Sequence, residues 1–436
     1  MRHHAFKIFT AAVRAVQPQQ LMHRHMQWQN NQLRLGNQVF DGEDIGNIYV
    51  IGAGKASAAM ARETELILGN RLAEGIIVTK YGHGLRLKQM QCIEAGHPVP
   101  DENSVQAGRD MIRLLKKAGE KDIVIALISG GASALLLDCP SGVLLPDLQL
   151  VFNRLLQCGA TIQEMNTVRK HLSAGIKGGQ LVRTAWPATL VSLILSDVVG
   201  DPLDSIASGP TVADASTFVQ VWEILRKYQL TESLPVNIIR WLQLGLNKQI
   251  EETPKPGDAV FEKTHNLLIG TNRIALEAAA EAARALRYEP VIITDTLQGE
   301  ASQKAQELVQ YIQAYDGPRP VCLLMGGETT VTIKNKGKGG RNQEFVLAAL
   351  AALEQSDMID IPVILSAGTD GTDGPTDAAG AVVDADIMQT AHKLGLKAEY
   401  YLEQNDSYHF FKEAGGQIIT GPTQTNVMDI IITLLQ

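Results

Sequence analysis

The chain has 436 residues, 45% of them hydrophobic and 20% charged. This is the balance of an ordinary globular protein, and the length exceeds what one hydrophobic core organises, so two domains are expected. The formal net charge of −8 argues against a general nucleic-acid binder, which needs a basic face to displace counterions from phosphates. No run approaches the roughly 18 apolar residues that cross a bilayer. The opening MRHHAFKIFTAAVRAV lacks the apolar stretch and cleavage site of an export signal, which makes a cytoplasmic protein without a membrane partner the expectation.

In chain order, residues from about His4 to Val16 place Phe6, Ile8, Phe9, Ala12, Val13 and Val16 on a helical period, predicting a packed leading helix. Apolar runs then alternate with amphipathic stretches: NIYVIGAG, EGIIVTK, DIVIALISGG and TLVSLILSD. Strand and helix in alternation predict an α/β fold whose parallel sheet is covered on both faces, with ligands at the carboxyl ends of the strands. From Leu230 to Gly257 the pattern weakens, and the domain boundary is placed there, giving domains 1–250 and 251–436. A second alternating series follows, in NLLIGTN, PVIITDT, PVCLLMGGE, PVILSAGTDG and QIITGPTQTNVMDIIITLL, predicting a second α/β domain. Cys92, Cys139, Cys158 and Cys322 lack metal or redox spacing and read as separate reduced thiols.

The strand ends carry the candidate chemistry. In IGAGKAS, Gly52, Gly54 and Lys55 open a helix, and such a turn points N–H groups and the positive end of the dipole at an anion. A merely tight strand-to-helix turn is the alternative. Tyr49 stands where a P-loop needs glycine, and Ser57 where the dinucleotide fingerprint needs its third. In ISGGASALLL, Ser129, Gly130, Gly131 and Ser133 could form a backbone nest around an oxyanion, or a structural turn. Leu135 stands where a nucleophile elbow needs glycine, which argues against a catalytic serine.

MNTVRKHLSAGIKGGQL clusters Arg169, Lys170, His171 and Lys177, either as a solvated helix face or as part of a cleft. Asp197 ends an apolar strand, where a carboxylate can hold Mg²⁺ or take a proton from a hydroxyl; Asp201 and Asp204 beside it read as turn residues. In the second half, Glu328 follows Gly326-Gly327, and Gly339-Gly340 lead into Arg341 at a helix start, where a guanidinium beside free N–H groups suits phosphoryl or carboxylate oxygens. Asp370, Asp373 and Asp377 lack calcium-loop spacing; one of them could ligate Mg²⁺. His409, between aromatics, reads as a core histidine.

IGAGKAS, GHPVPDENS, SGGASALL, MNTVRKHLS, SDVVGDPLDSIASGPTV, GGETTV, GKGGRNQEF, AGTDGTDGPTDAAGA, NDSYHFF and TGPTQTNVMD stand in the order seen in glycerate 2-kinases, whose C-terminal part is the MOFRL domain. The chain resembles that family over nearly its whole length. The resemblance implies a Rossmann-like N-terminal domain with a smaller MOFRL domain, an active site between them, and transfer of the ATP γ-phosphoryl group to the 2-hydroxyl of D-glycerate with Mg²⁺ present. It also implies catalytic roles for Lys55 and Arg341, with Asp197 orienting or deprotonating the hydroxyl and Glu328 or Asp370 holding metal. Phosphoryl transfer, which is mostly positioning plus charge neutralisation, fits the two cations. A homodimer is left open.

One departure stands out: two residues, Ala174 and Gly175, separate HLS from IKGG where the family pattern has one. Inside a helix the insertion would turn Lys177 by about 100°, whereas a loop would absorb it. Two rival readings are an NAD(P)-dependent hydroxypyruvate reductase, suggested by the GAG turn, and a binding protein that closes on a small acid without chemistry.

Overall fold

The computed structural model describes residues 1–436. By internal contacts the chain divides into a Rossmann-like unit, Leu21–Ser196 with Asp201–Ile269, and a C-terminal unit, Gly270–Gln436 with Met1–Gln20 and Asp197–Gly200.

The Rossmann-like unit opens with a small antiparallel sheet of β1 (Met26–Gln29), β2 (Gln32–Leu35) and β3 (Gln38–Asp41). Asn30 and Asn31 turn between the first two at φ 51 and 58, the left-handed pair that a two-residue hairpin requires. The main sheet comprises β4 (Ile48–Ala53), β5 (Leu72–Lys80), β6 (Met90–Ala95), β7 (Ile123–Ile128), β8 (Thr189–Leu195) and β9 (Thr264–Gly270), in the order β6-β5-β4-β7-β8-β9. The pairings β5–β6, β4–β5, β4–β7 and β7–β8 are parallel. Every residue of β4 and β7 is buried, which is why these two strands read as unbroken apolar runs. The chain winds outward from β4 through β5 to β6 and then returns to β7 on the other side. The strand order therefore reverses between β4 and β7, and ligands bind at the carboxyl end of such a switch point.

Four helices, Leu145–Gln157, Ile162–His171, Phe218–Lys227 and Val236–Leu246, build a separate apolar cluster within this unit around Val151, Leu155, Val168, Phe218, Val221 and Leu242. NLLIGTN, which the sequence pattern places in the second series, is β9, the strand beside β8, with Leu190 N–H donating to the Lys263 carbonyl at 2.9 Å.

The C-terminal unit holds β10 (Glu289–Leu297), β11 (Val321–Gly327), β12 (Val363–Gly368), β13 (Gly380–Val383), β14 (Gln417–Ile418) and β15 (Asp429–Leu435), ordered β10-β11-β15-β12-β13-β14. Only β10–β11 is parallel; the C-terminal strand β15 inserts antiparallel between β11 and β12. Helix Arg341–Glu354 is buried nearly all round, from Phe345 to Leu350. The leading helix, Arg2–Ala15, buries Ala5, Ile8, Phe9, Ala12 and Val13, as its periodicity predicts. It packs on helix Asn272–Ala285, and Arg2 forms a two-bond pair with Asp384 at 2.6 Å for each bond. The first residues thus belong structurally with the last.

Candidate functional site

In the Rossmann-like unit the carboxyl ends of β4 and β7 are stitched into one double turn. The Lys55 N–H donates to the Gly130 carbonyl at 2.9 Å, Ser129 N–H to the Ala53 carbonyl at 3.0 Å, and Ala56 N–H to Ser129 Oγ at 3.1 Å. Gly54 sits at φ +129, and a Cβ there would lie 2.2 Å from Ser129 Oγ, so only glycine lets the turns approach. Ser129 is therefore a buried strut, not an exposed ligand. Gly52 has a similar packing role, since a Cβ would meet Ile77 at 2.8 Å.

At the mouth of the double turn, a Cβ on Gly131 (φ +84) would stand 2.9 Å from the His97 ring and 3.6 Å from Lys55 Cγ. Lys55, Gly131 and His97 are thus immediate neighbours. The Lys55 side chain makes no ion pair and no hydrogen bond. Burial first, then the charges of Lys55, Lys80 and His83, push the His97 imidazole down to about 4, so it is neutral at ordinary pH. His97 carries no role in the sequence reading, where GHPVPDENS enters only as part of the resemblance.

A cavity of about 350 Å³ is lined by His97, Gly131 and Ser133 together with Phe152, Met165 and Arg169. The Arg169 guanidinium lies 5.2 Å over the Phe152 ring. The neighbouring cations of the MNTVRKHLS segment are structural: buried Lys170 pairs with Asp214 at 3.3 Å, and buried His171 with Glu252 at 3.0 Å.

Lys177 resolves the question raised by Ala174 and Gly175. Helix Ile162–His171 has already ended, and the Asp138 carboxylate gathers the following turn, accepting from the Ser173 hydroxyl, Ala174 N–H at 2.6 Å and Gly175 N–H at 2.8 Å. A loop absorbs the insertion. Lys177 is fully buried, and its amine donates to the carbonyls of Ser133 at 2.8 Å and Leu136 at 3.2 Å. Burial, aided by the charge of Arg169 and opposed by Asp138, brings it down to about 7. It props the turn that carries Ser133, whose own hydroxyl lies 3.3 Å from Ser208 Oγ.

In the C-terminal unit, Gly339 and Gly340 are close-approach glycines: a Cβ would sit 2.3 Å from Ser407 Oγ and 2.3 Å from the Asp373 carboxyl carbon, respectively. The N–H groups at the start of helix Arg341–Glu354 are not free, in contrast to the sequence expectation. The buried Asp373 carboxylate accepts from Asn342 N at 3.0 Å and Gln343 N at 2.9 Å, because buried N–H groups must find acceptors and the fold supplies one from a distant loop. Arg341 is held by a two-bond pair to Asp429, at 2.5 and 2.9 Å, and a single contact to Glu328 at 2.6 Å. Burial opposes its charge, but Asp429 and then Glu328 raise its pKa beyond the usual arginine value. Asp429 went unread in the sequence; it is an ordinary acid before an apolar strand, and only β15's central position brings it to Arg341.

Asp197 accepts from Asn426 Nδ2 at 3.2 Å, and Asp370 from both the N–H and the hydroxyl of Thr372 at 3.0 Å. No group of three or more His, Cys, Asp or Glu is gathered where it could hold a metal ion. Asp197, Glu328 and Asp370 therefore do not make a preformed magnesium cage. His409 is an exposed residue paired with Asp406 at 2.6 Å, correcting its assignment to the core; Phe410 and Phe411 take the buried positions.

Comparison with known proteins agrees with this architecture. The domain of unknown function DUF4147 matches residues 4–243, and the MOFRL family matches residues 321–429. The chain is 44% identical to the glycerate 2-kinase of Pyrococcus horikoshii over 89% of its own length and 88% of that protein. It is 43% identical, over 89% and 87%, to an Agrobacterium vitis protein that carries a provisional name of hydroxypyruvate reductase. The crystal structure of Thermotoga maritima glycerate kinase superposes with a TM-score of 0.87 at 36% identity, covering 100% of this chain and 99% of that one. On these likenesses, the chain belongs to the glycerate 2-kinase family.

Proposed function

We propose that this protein transfers the γ-phosphoryl group of ATP to the 2-hydroxyl of D-glycerate, giving 2-phosphoglycerate, and does so in the cytoplasm. The observation that carries the reading is the double turn: two strand ends at a topological switch point, bonded to each other, presenting a lysine that no carboxylate neutralises. Phosphoryl transfer needs charge neutralisation at a fixed place more than covalent chemistry. Lys55 and the Gly130-Gly131 turn are assigned to the transferring group. Arg341, braced by Asp429 and Glu328, is assigned to neutralise phosphoryl charge through the N–H groups those carboxylates leave over. Asp197 is assigned to orient or deprotonate the acceptor hydroxyl. Mg²⁺ would add charge neutralisation when bound with the nucleotide, and Glu328 or Asp370 is assigned to help hold it.

The reductase alternative, which the Agrobacterium relative's name also raises, is disfavoured by β4 and β5. Ser57, at the third-glycine position, is buried, with its hydroxyl within hydrogen-bond reach of the Gly54 and Val78 carbonyls at 2.7 and 2.9 Å. The strand that should end in a ribose-binding acid ends in Thr79-Lys80. Incubation with Mg-ATP is expected to release ADP only when D-glycerate is present, with phosphorus NMR showing the 2-phosphate. Nicotinamide turnover with hydroxypyruvate and no ADP release would overturn the proposal.

A further inference from the structure

Arg169 is the feature of the cavity that the proposed reaction has not yet used. It sits in the last turn of helix Ile162–His171 and lines a largely apolar space, with its guanidinium over Phe152 and with Leu156 and Met165 lining the same cavity. It forms no ion pair and no side-chain hydrogen bond, while Lys170 and His171, the next two residues, both have carboxylate partners. Burial lowers its pKa with no carboxylate to offset the effect. A half-buried guanidinium without a counter-ion costs free energy that an oxyanion would recover through a two-bond, charge-assisted contact.

We infer that Arg169 binds the carboxylate of the acceptor hydroxy acid and thereby selects which hydroxyl is phosphorylated; the inference rests on the kinase reading above. The same cavity is lined by Gly131, which abuts Lys55, by Ser133 and by Arg169. One cation thus serves the phosphoryl group and the other a second anion close by. In a 2-hydroxy acid the reacting oxygen sits on the carbon next to the carboxylate, so an anchor on that carboxylate presents the 2-hydroxyl, not the 3-hydroxyl, to the double turn. The neutral His97 at the mouth adds no competing positive charge. A nucleotide phosphate shares the oxyanion chemistry and is the other source the experiment must separate.

The test compares Arg169→Gln and Arg169→Lys with the wild type in steady-state kinetics, varying D-glycerate and Mg-ATP separately. Arg169→Gln is expected to raise KM for D-glycerate by about 10- to 100-fold, the scale of a charged hydrogen-bonded pair, and leave KM for Mg-ATP within about twofold. Arg169→Lys keeps the charge without the planar fork and should fall between. Phosphorus NMR should show a rising share of 3-phosphoglycerate in the glutamine variant, a change that a merely structural arginine would not produce. A rise in KM for Mg-ATP alone would assign Arg169 to the nucleotide, and two unchanged constants would overturn the inference. If the glutamine variant does not fold, the lysine variant is read by the same constants and product ratio. Should the wild type itself transfer no phosphate, calorimetric titration of D-glycerate into wild-type and variant protein reads the carboxylate site alone, and equal affinities refute it.

Discussion

Lys55 follows a glycine turn at the end of β4, and Arg341 follows Gly339-Gly340 at the start of a helix; both are cations beside glycines, yet their surroundings differ. Lys55 has no carboxylate partner, and its turn is held by backbone bonds and Ser129. Arg341 is clamped by Asp429 and Glu328, and the helix behind it is capped by Asp373. A flexible ammonium can be left open to a ligand because its turn is rigid without it. A partly buried guanidinium needs carboxylates to hold its charge, so it is oriented in advance and also supports the fold. Lys55 should therefore carry activity alone, and Arg341 activity and stability together.

The sharpest break of this contrast is a pair of alanine variants. Lys55→Ala is expected to lower turnover by about 100-fold or more, as for loss of a preorganised charge partner, with an unchanged melting temperature. Arg341→Ala should lose comparable turnover and also melt earlier, because Asp429 is left buried without its cation. Equal melting temperatures in the two variants would erase the distinction. Next in size, Asp429→Ala should destabilise the C-terminal unit by about 3 kcal/mol in denaturant titration, the scale of breaking a buried pair, leaving Arg341 with Glu328 alone.

A smaller effect is expected from Gly54→Ala, about 1–3 kcal/mol for an alanine forced to φ +129, with a loss of turnover because the two turns must part. Last are the pH effects of two groups in the Rossmann-like unit. His97 titrates near 4 in the folded chain against its ordinary 6.5. Between those values the unfolded state binds the extra proton, so stability falls as pH drops from 6.5 toward 4. Lys177 titrates near 7 against 10.5, so by the same reasoning stability rises with pH across that window. Subtracting the stability profiles of His97→Gln and Lys177→Met from the wild-type profile should expose each slope, and flat differences would refute the buried positions assigned to them.

Periodicity and motif position made the Rossmann-like sheet legible, because β4 and β7 are buried on both faces and must be continuously apolar. The same logic found the second α/β unit but not its strand directions, which leave no mark on composition: β12 and β15 are as apolar as the parallel strands, yet pair antiparallel. It also assigned β9 to the wrong sheet, for an edge strand's neighbour is chosen by packing.

For the candidate site, the chain alone determined which side chains could carry charge and where turns must expose them: Lys55 after GAG, Arg341 after GG, Arg169 in a basic helix end. Only the tertiary structure decided which of those charges are already neutralised. Asp429 and Asp373 reach the Arg341 helix from far along the chain, and Lys170 and His171 are claimed by Asp214 and Glu252, while Arg169 and Lys55 are left without partners. Residue type and local spacing set the supply of charges, but pairing depends on contacts between segments whose separation in sequence says nothing of their distance in space.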